Sequence, residues 1–195
     1  MPDAADADRE AILSEIADEV RTCALCDLHK ARTNAVPGEG PADARVMFIG
    51  EAPGREEDAQ GRPFVGPAGR YLNQLLTLAG LRREQVFITN IVKCRPPANR
   101  EPRPEEAAAC RAYLDGQIAT ICPRVICLLG RPATAALLDP SATMTDIHGR
   151  TFERDGIIYV PLYHPAAALH NQRLGPVLNE DFKRLRPMFE RILAE

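Results

Sequence analysis

The sequence predicts an α/β fold in which helices cover both faces of a mostly parallel sheet. Three observations carry this reading. Short apolar runs of strand length alternate along the chain with longer stretches whose apolar residues recur at helical spacing, the pattern of β–α–β units whose strands lie parallel. A length of 195 residues suits one well-packed domain and is too short for two ordinary ones. Residues 1–195 are therefore read as a single domain, with an N-terminal helix (1–22) ahead of a motif-bearing core (23–195). Finally, the loops that leave three of the strands carry the unusual residues, and open α/β sheets hold their ligands beyond the carboxyl ends of the strands.

The elements follow in order. The stretch up to about Val20 reads as a helix, because Ile12, Leu13, Ile16 and Val20 recur at helical spacing between charges. A turn-rich loop follows, through Cys23, Cys26 and the Pro37-Gly38-Glu39-Gly40-Pro41 run. Arg45–Ile49 is a short apolar run stopped by Gly50, as in a buried strand. The next segment, EAPGREEDAQGRPFVGPAG, reads as one long loop, and loops of that length inside a compact domain are usually functional. Tyr71–Leu81 reads as a helix with Leu72, Leu75, Leu76 and Ala79 on one face and Gly80 near its end. Gln85–Val92 is the second strand. It cannot continue through Lys93-Cys94-Arg95-Pro96-Pro97, because proline has no N–H to donate. Pro104–Ile121 reads as a helix with proline in its first turn. Arg124–Leu129 is the third strand, Pro132–Leu138 a short helix, and Gly156–Leu162 the fourth strand, closing on Tyr163-His164-Pro165. The last helix covers about Leu178–Leu193.

Composition excludes some functions. Hydrophobic residues make up 45% of the chain, and no run approaches the roughly 20 apolar residues that span a bilayer. The N-terminus is acidic and lacks a basic-then-apolar leader pattern, so a cytoplasmic protein with no membrane partner is expected. A net charge of −3 argues against a DNA coat protein. It leaves room for a DNA enzyme, because arginines cluster: Arg95, Arg100 and Arg103 in one Pro-rich segment, Arg62 and Arg70 around another. No GxGxxG, P-loop, HExxH or GxSxG element appears.

Six cysteines in a cytoplasmic chain point to metal ligation or core packing rather than disulfides. The turn of Cys23-x-x-Cys26 can direct both sulfurs at one metal centre. Cys94 and Cys110 are further candidates, although a second C-x-x-C is lacking. Spacing alone leaves zinc, an iron–sulfur cluster and core packing open. Cys127, inside an apolar strand, reads as a buried thiol, and Cys122 is open to either role. Phe64, in a Gly/Pro-rich loop, can stack on a planar ligand or plug the core beneath its loop. Asn90 ends a strand and can pair with a nucleobase edge or bond locally. His164 can donate to a developing oxyanion or serve structure. Glu51, Glu56, Glu57 and Asp58 can do acid–base work or bind a divalent metal, or can be acids at a helix start.

Taken in order, Gly50-Glu51-Ala52-Pro53-Gly54 with Glu57-Asp58, Gly61-Arg62-Pro63-Phe64-Val65-Gly66, Thr89-Asn90 and His164-Pro165 resemble the iron–sulfur (family four, thermophile-type) uracil-DNA glycosylases. Cys23-x2-Cys26 with Cys94-x15-Cys110 resembles that family's cluster ligands. The resemblance implies an α/β/α sandwich around a four-stranded parallel sheet. It implies an enzyme that flips uracil out of DNA and hydrolyses its N-glycosidic bond, leaving an abasic site, as a monomer acting on single- or double-stranded uracil-containing DNA. It also implies a [4Fe–4S] cluster on Cys23, Cys26, Cys94 and Cys110. Gly50, Glu51 and Ala52 would hold uracil, Phe64 would stack on it, Asn90 would read its edge, and His164 would hydrogen-bond its O2. The best-known branch of the wider superfamily has a water-orienting Asp where this chain has Ala52. The water-positioning group is then open, with Glu51 and Glu57 as candidates. A related branch links covalently to DNA through a His in an insert after the second strand. Here that segment, KCRPPANREPRPEE, holds no His, which implies turnover. The segment from His164 to His170 is expected to enter the minor groove with Leu169 as a wedge, and Arg62 to contact DNA. The competing readings are a metal-stabilised DNA-binding module without catalysis and a Mg²⁺-dependent hydrolase built on the acidic loop.

Overall fold

The computed structural model describes residues 4–195, so the first three residues of the expected N-terminal helix lie outside it. Helix α1 (Ala4–Thr22) precedes β1 (Val46–Gly50), α2 (Arg55–Gln60), α3 (Pro67–Leu78), β2 (Phe87–Asn90), α4 (Pro104–Ile121) and β3 (Val125–Leu129). Then come α5 (Arg131–Leu137), α6 (Met144–Ile147), β4 (Phe152–Arg154), β5 (Ile157–Leu162), α7 (Pro165–His170) and α8 (Leu174–Ala194). The strand order is β2-β1-β3-β5-β4. The four expected strands pair in parallel, and β4 adds an antiparallel edge to β5.

The alternation of side chains along each strand divides the core between two faces. On one face Phe48, Ile88, Cys127 and Val160 meet Leu72, Leu75 and Leu76 of α3 and Phe182, Leu185 and Phe189 of α8. On the other, Met47, Ile49, Ile126 and Leu128 meet Leu114 and Ile121 of α4 and Ala133 of α5. This is the expected three-layer sandwich. A smaller cluster joins Val20 and Leu28 to Val92, Cys94 and Cys110.

Three expectations need correction. The sheet has five strands, not four, because Arg154 turns back into Ile157 through Asp155 and Gly156, both at positive φ (52° and 77°). That is the geometry an Asp-Gly hairpin turn adopts. The segment after β1 is not all loop: Arg55–Gln60 forms α2, with Glu56, Glu57 and Asp58 in its first turn, where acids complement the helix dipole. Finally, α3 starts at Pro67 and α8 at Leu174, each four residues ahead of the expected start.

Candidate active site

Three parallel strands deliver their carboxyl ends to one cavity of about 340 Å³. Glu51 and Ala52 follow β1, Asn90 ends β2, and His164 follows β5. Phe64 enters from the loop between α2 and α3. The backbones beyond β1 and β2 stay paired, Ile91 N–H donating to Gly50 O at 2.9 Å and Val92 N–H to Glu51 O at 3.2 Å.

Asn90 is buried, at 1% exposure. Its Oδ1 is the one fully buried side-chain oxygen or nitrogen without a hydrogen-bond partner among the described residues. Leaving such an atom unpaired costs about 1–3 kcal/mol, so its position on the cavity wall marks a place for a ligand donor. A Cβ on Gly50 would lie 2.5 Å from this oxygen and 2.6 Å from Phe64 Cζ. Only glycine lets amide and ring close on the strand end. The Phe64 ring is buried, and its centroid lies 5.5 Å from that of His164, with 29° between the planes.

His164 caps the start of α7. Ala166 N–H donates to its Nδ1 at 3.1 Å. An accepting Nδ1 carries no proton, so the neutral ring holds its hydrogen on Nε2. Burial of the ring disfavours the cation and pulls its pKa down to about 4, against a small opposing effect of the Glu57 charge. The imidazole is therefore a neutral donor at physiological pH. Imidazole ¹⁵N shifts are expected to show the Nε2–H tautomer from pH 8 down to pH 5, with charging only near pH 4. A cationic His164 at pH 6 would contradict this.

The carboxylates divide into two roles. Glu57 Oε1 accepts from Val65 N–H (2.9 Å) and Gly66 N–H (2.8 Å), which ties α2 to the start of α3. Asp58 is buried and accepts from Thr33 N–H at 2.8 Å. Glu51 lines the cavity and makes no side-chain hydrogen bond within the described residues. Its pKa is raised, first by burial and then by the Glu101 charge, with Arg131 partly opposing.

A second, smaller cavity is lined by Cys23, Cys26, Cys94 and Cys110 together. None is in a disulfide. Arg32 Nη1 donates to Cys94 Sγ at 3.0 Å, and Lys93 N–H to Cys110 Sγ at 3.3 Å. Cys127 is buried in β3, and Cys122 is exposed at the end of α4, so both stand apart from this cavity.

The model of the uracil DNA glycosylase superfamily matches residues 37–190. The chain belongs to that superfamily. It is 48% identical over 185 residues to a type-4 uracil-DNA glycosylase of Sulfurisphaera tokodaii, covering 90% of this chain and 84% of the relative. Similar proteins of the same description occur in Saccharolobus solfataricus (49% identical, 89% and 85% covered) and Archaeoglobus fulgidus (44% identical, 89% and 91% covered).

In this superfamily member the fold gathers Glu51, Ala52, Glu57, Phe64, Asn90 and His164 around one cavity, with Gly50 against Asn90 and Phe64. Leu169 lies outside it, 49% exposed on α7. Arg62 is also outside and forms a two-point ion pair with Glu39, Nε–Oε2 2.8 Å and Nη2–Oε1 3.3 Å. Of the other clustered arginines, Arg100 pairs with Glu106, Arg95 with Asn99 and Arg70 with Glu56. Sequence reasoning missed Pro96, Asn99 and Arg100 on the cavity wall, and Lys93 behind it. The Lys93 ammonium is fully buried and donates to Thr89 Oγ1 (2.6 Å), Gln117 Oε1 (2.7 Å) and Asn90 O (2.9 Å). Its place between Asn90 and Cys94 was its only signal in the sequence. Among the described residues no helix is long and apolar enough to cross a membrane.

Proposed function

We propose that the chain removes uracil from DNA by hydrolysing the N-glycosidic bond, and that Asn90 selects the base. The unpaired Asn90 Oδ1 carries this reading. Uracil presents an N3–H donor beside the O4 acceptor, and one carboxamide answers both. Cytosine offers the opposite order, an acceptor at N3 and an amine at C4.

The remaining groups supply the reaction. A base inside a duplex must be turned out to be reached, at a cost of a few kcal/mol, and Phe64 offers it a face. As the bond to the sugar breaks, negative charge collects on uracil O2. The His164 Nε2–H is an uncharged donor for that charge, and such a donor is worth about 3 kcal/mol. Water then attacks the cation-like sugar. Ala52 cannot orient it, and one Glu57 oxygen is committed to the loop. The free, half-buried Glu51 carboxylate takes this role. Leu169 and Arg62, both exposed, contact the DNA outside the pocket, and the monomer accepts single- or double-stranded substrate.

Cys23, Cys26, Cys94 and Cys110 hold a [4Fe–4S] cluster. Four sulfurs surround one cavity, with N–H donors on two of them, the setting of a thiolate-bound cluster. When bound, the group supplies a structural cross-link of the loop after α1, the loop after β2 and α4.

Oligonucleotides carrying a single uracil or an ordinary cytosine, incubated in excess chelator, test the function. Free uracil and no cytosine should be released. Strict dependence on Mg²⁺, or binding of both DNAs without release, would overturn the proposal in favour of a hydrolase or a binding module.

A further inference from the structure

Arg83 opens the short 3-10 turn ahead of β2, and its guanidinium joins three segments. Nη2 donates to Pro63 O and Nη1 to Phe64 O, at 2.6 and 3.1 Å. Nε and Nη2 both reach Glu39 Oε1, at 2.9 and 2.6 Å, and Nη1 also reaches Asn73 Oδ1 of α3 at 3.0 Å. The side chain is 17% exposed. One planar fork thus grips two consecutive carbonyls at the base of the Phe64 ring, a geometry that a lysine ammonium does not reproduce.

The backbone it grips is unfavourable by itself. Phe64 has φ of +50°, a left-handed conformation that L residues other than glycine, asparagine and aspartate seldom adopt. Such a conformation persists only where its surroundings over-determine it. Here α3 supplies one wall, because a Cβ on Gly69 would collide with the Phe64 carbonyl. Arg83 supplies the other. Glu39 is itself fixed by paired backbone bonds to Ile88, Glu39 N–H to Ile88 O at 3.0 Å and Ile88 N–H to Glu39 O at 2.8 Å. Ile88 lies two residues before Asn90 on β2. The same oxygen of Glu39 that meets Arg83 also meets Arg62.

We propose that Arg83 is a positioning residue. It presets the Phe64 ring for the incoming base and locks the loop that carries the ring to the strand that carries Asn90. This inference rests on Phe64 stacking against the flipped base, as proposed above.

Single-turnover uracil release by native protein, Arg83→Met, Phe64→Ala and the double variant tests it. Phe64→Ala should slow release about 100-fold, as loss of a base-stacking partner does. Arg83→Met should slow native protein about 30-fold but the Phe64→Ala protein less than about threefold, the non-additivity of residues acting through one contact. Arg83→Lys, which keeps the charge beside Glu39 and loses the fork, should slow release about tenfold and decides the matter if Arg83→Met does not fold. The ring-current shift of the His164 ring protons should also move in both Arg83 variants toward its value in Phe64→Ala. Equal slowing by Arg83→Met in both backgrounds, with the His164 resonances unmoved, would reduce Arg83 to a structural residue and overturn the proposal. Undiminished release by Phe64→Ala would instead overturn the stacking reading itself, and the proposal with it.

Discussion

Asn90→Ala is expected to lower kcat/KM for uracil release on the order of 1000-fold, the upper range for removing one pocket hydrogen-bond group. The loss has two sources. In the proposed reading the carboxamide meets N3–H and O4 together, so its removal would leave both base groups facing a wall that cannot answer them. That bond to N3–H would also fill the only unsatisfied buried side-chain oxygen among the described residues, so the native pocket would gain on binding what an alanine pocket would not. Stability should move the other way. The variant deletes a buried acceptor that the empty protein leaves unpaired, so its melting temperature should hold or rise. An activity loss paralleled by a fall in melting temperature would mark Asn90 as a structural residue.

The second large effect is expected at the cysteine centre. Cys110→Ala should abolish bound iron and the broad absorption near about 400 nm, and lower the melting temperature on the order of 10 °C, as loss of a site worth several kcal/mol does in a domain of this size. Three separated segments meet at this cavity: the turn after α1, the loop after β2 and the first half of α4. Without the cross-link their closure falls to the small cluster around Val20, Leu28 and Val92 and to polar ties such as Arg100 to Glu106. The effect should reach the base pocket, because Lys93 bonds Cys110 Sγ through its N–H and Asn90 O through its ammonium. Cys122→Ser, at the exposed end of α4, should leave the iron in place. Zinc at the site after anaerobic purification would overturn the cluster assignment.

The residues most visible in the sequence were those whose signal is local. Apolar runs such as Val46–Ile49 and Val125–Leu129 are buried throughout and read directly as strands. Asn90 and His164 stood out because each ends such a run, and parallel strands carry their ends to one edge. Helix α2 was obscured because its six residues are too few to show a period, although Glu56, Glu57 and Asp58 marked its first turn. Strand β4 has three residues, none buried, so alternation had nothing to display. Its Asp155-Gly156 turn was the available clue. The grip of Arg83 on Glu39 spans 44 residues, and that of Gln117 on Pro37 spans 80. Such pairs carry no local pattern, and the protonated nitrogen of His164 follows from a backbone N–H that only the folded chain supplies.

The most direct test of base selection by Asn90 compares uracil with 3-methyluracil at one position of an oligonucleotide. The methyl group replaces the N3–H that Asn90 Oδ1 is placed to accept and leaves O2 free for His164. Native protein should release uracil at least about 1000-fold faster, as sites built around a substrate N–H discriminate, and Asn90→Ala should lose most of that preference. Equal release of both bases by the native protein would contradict the assignment of Asn90.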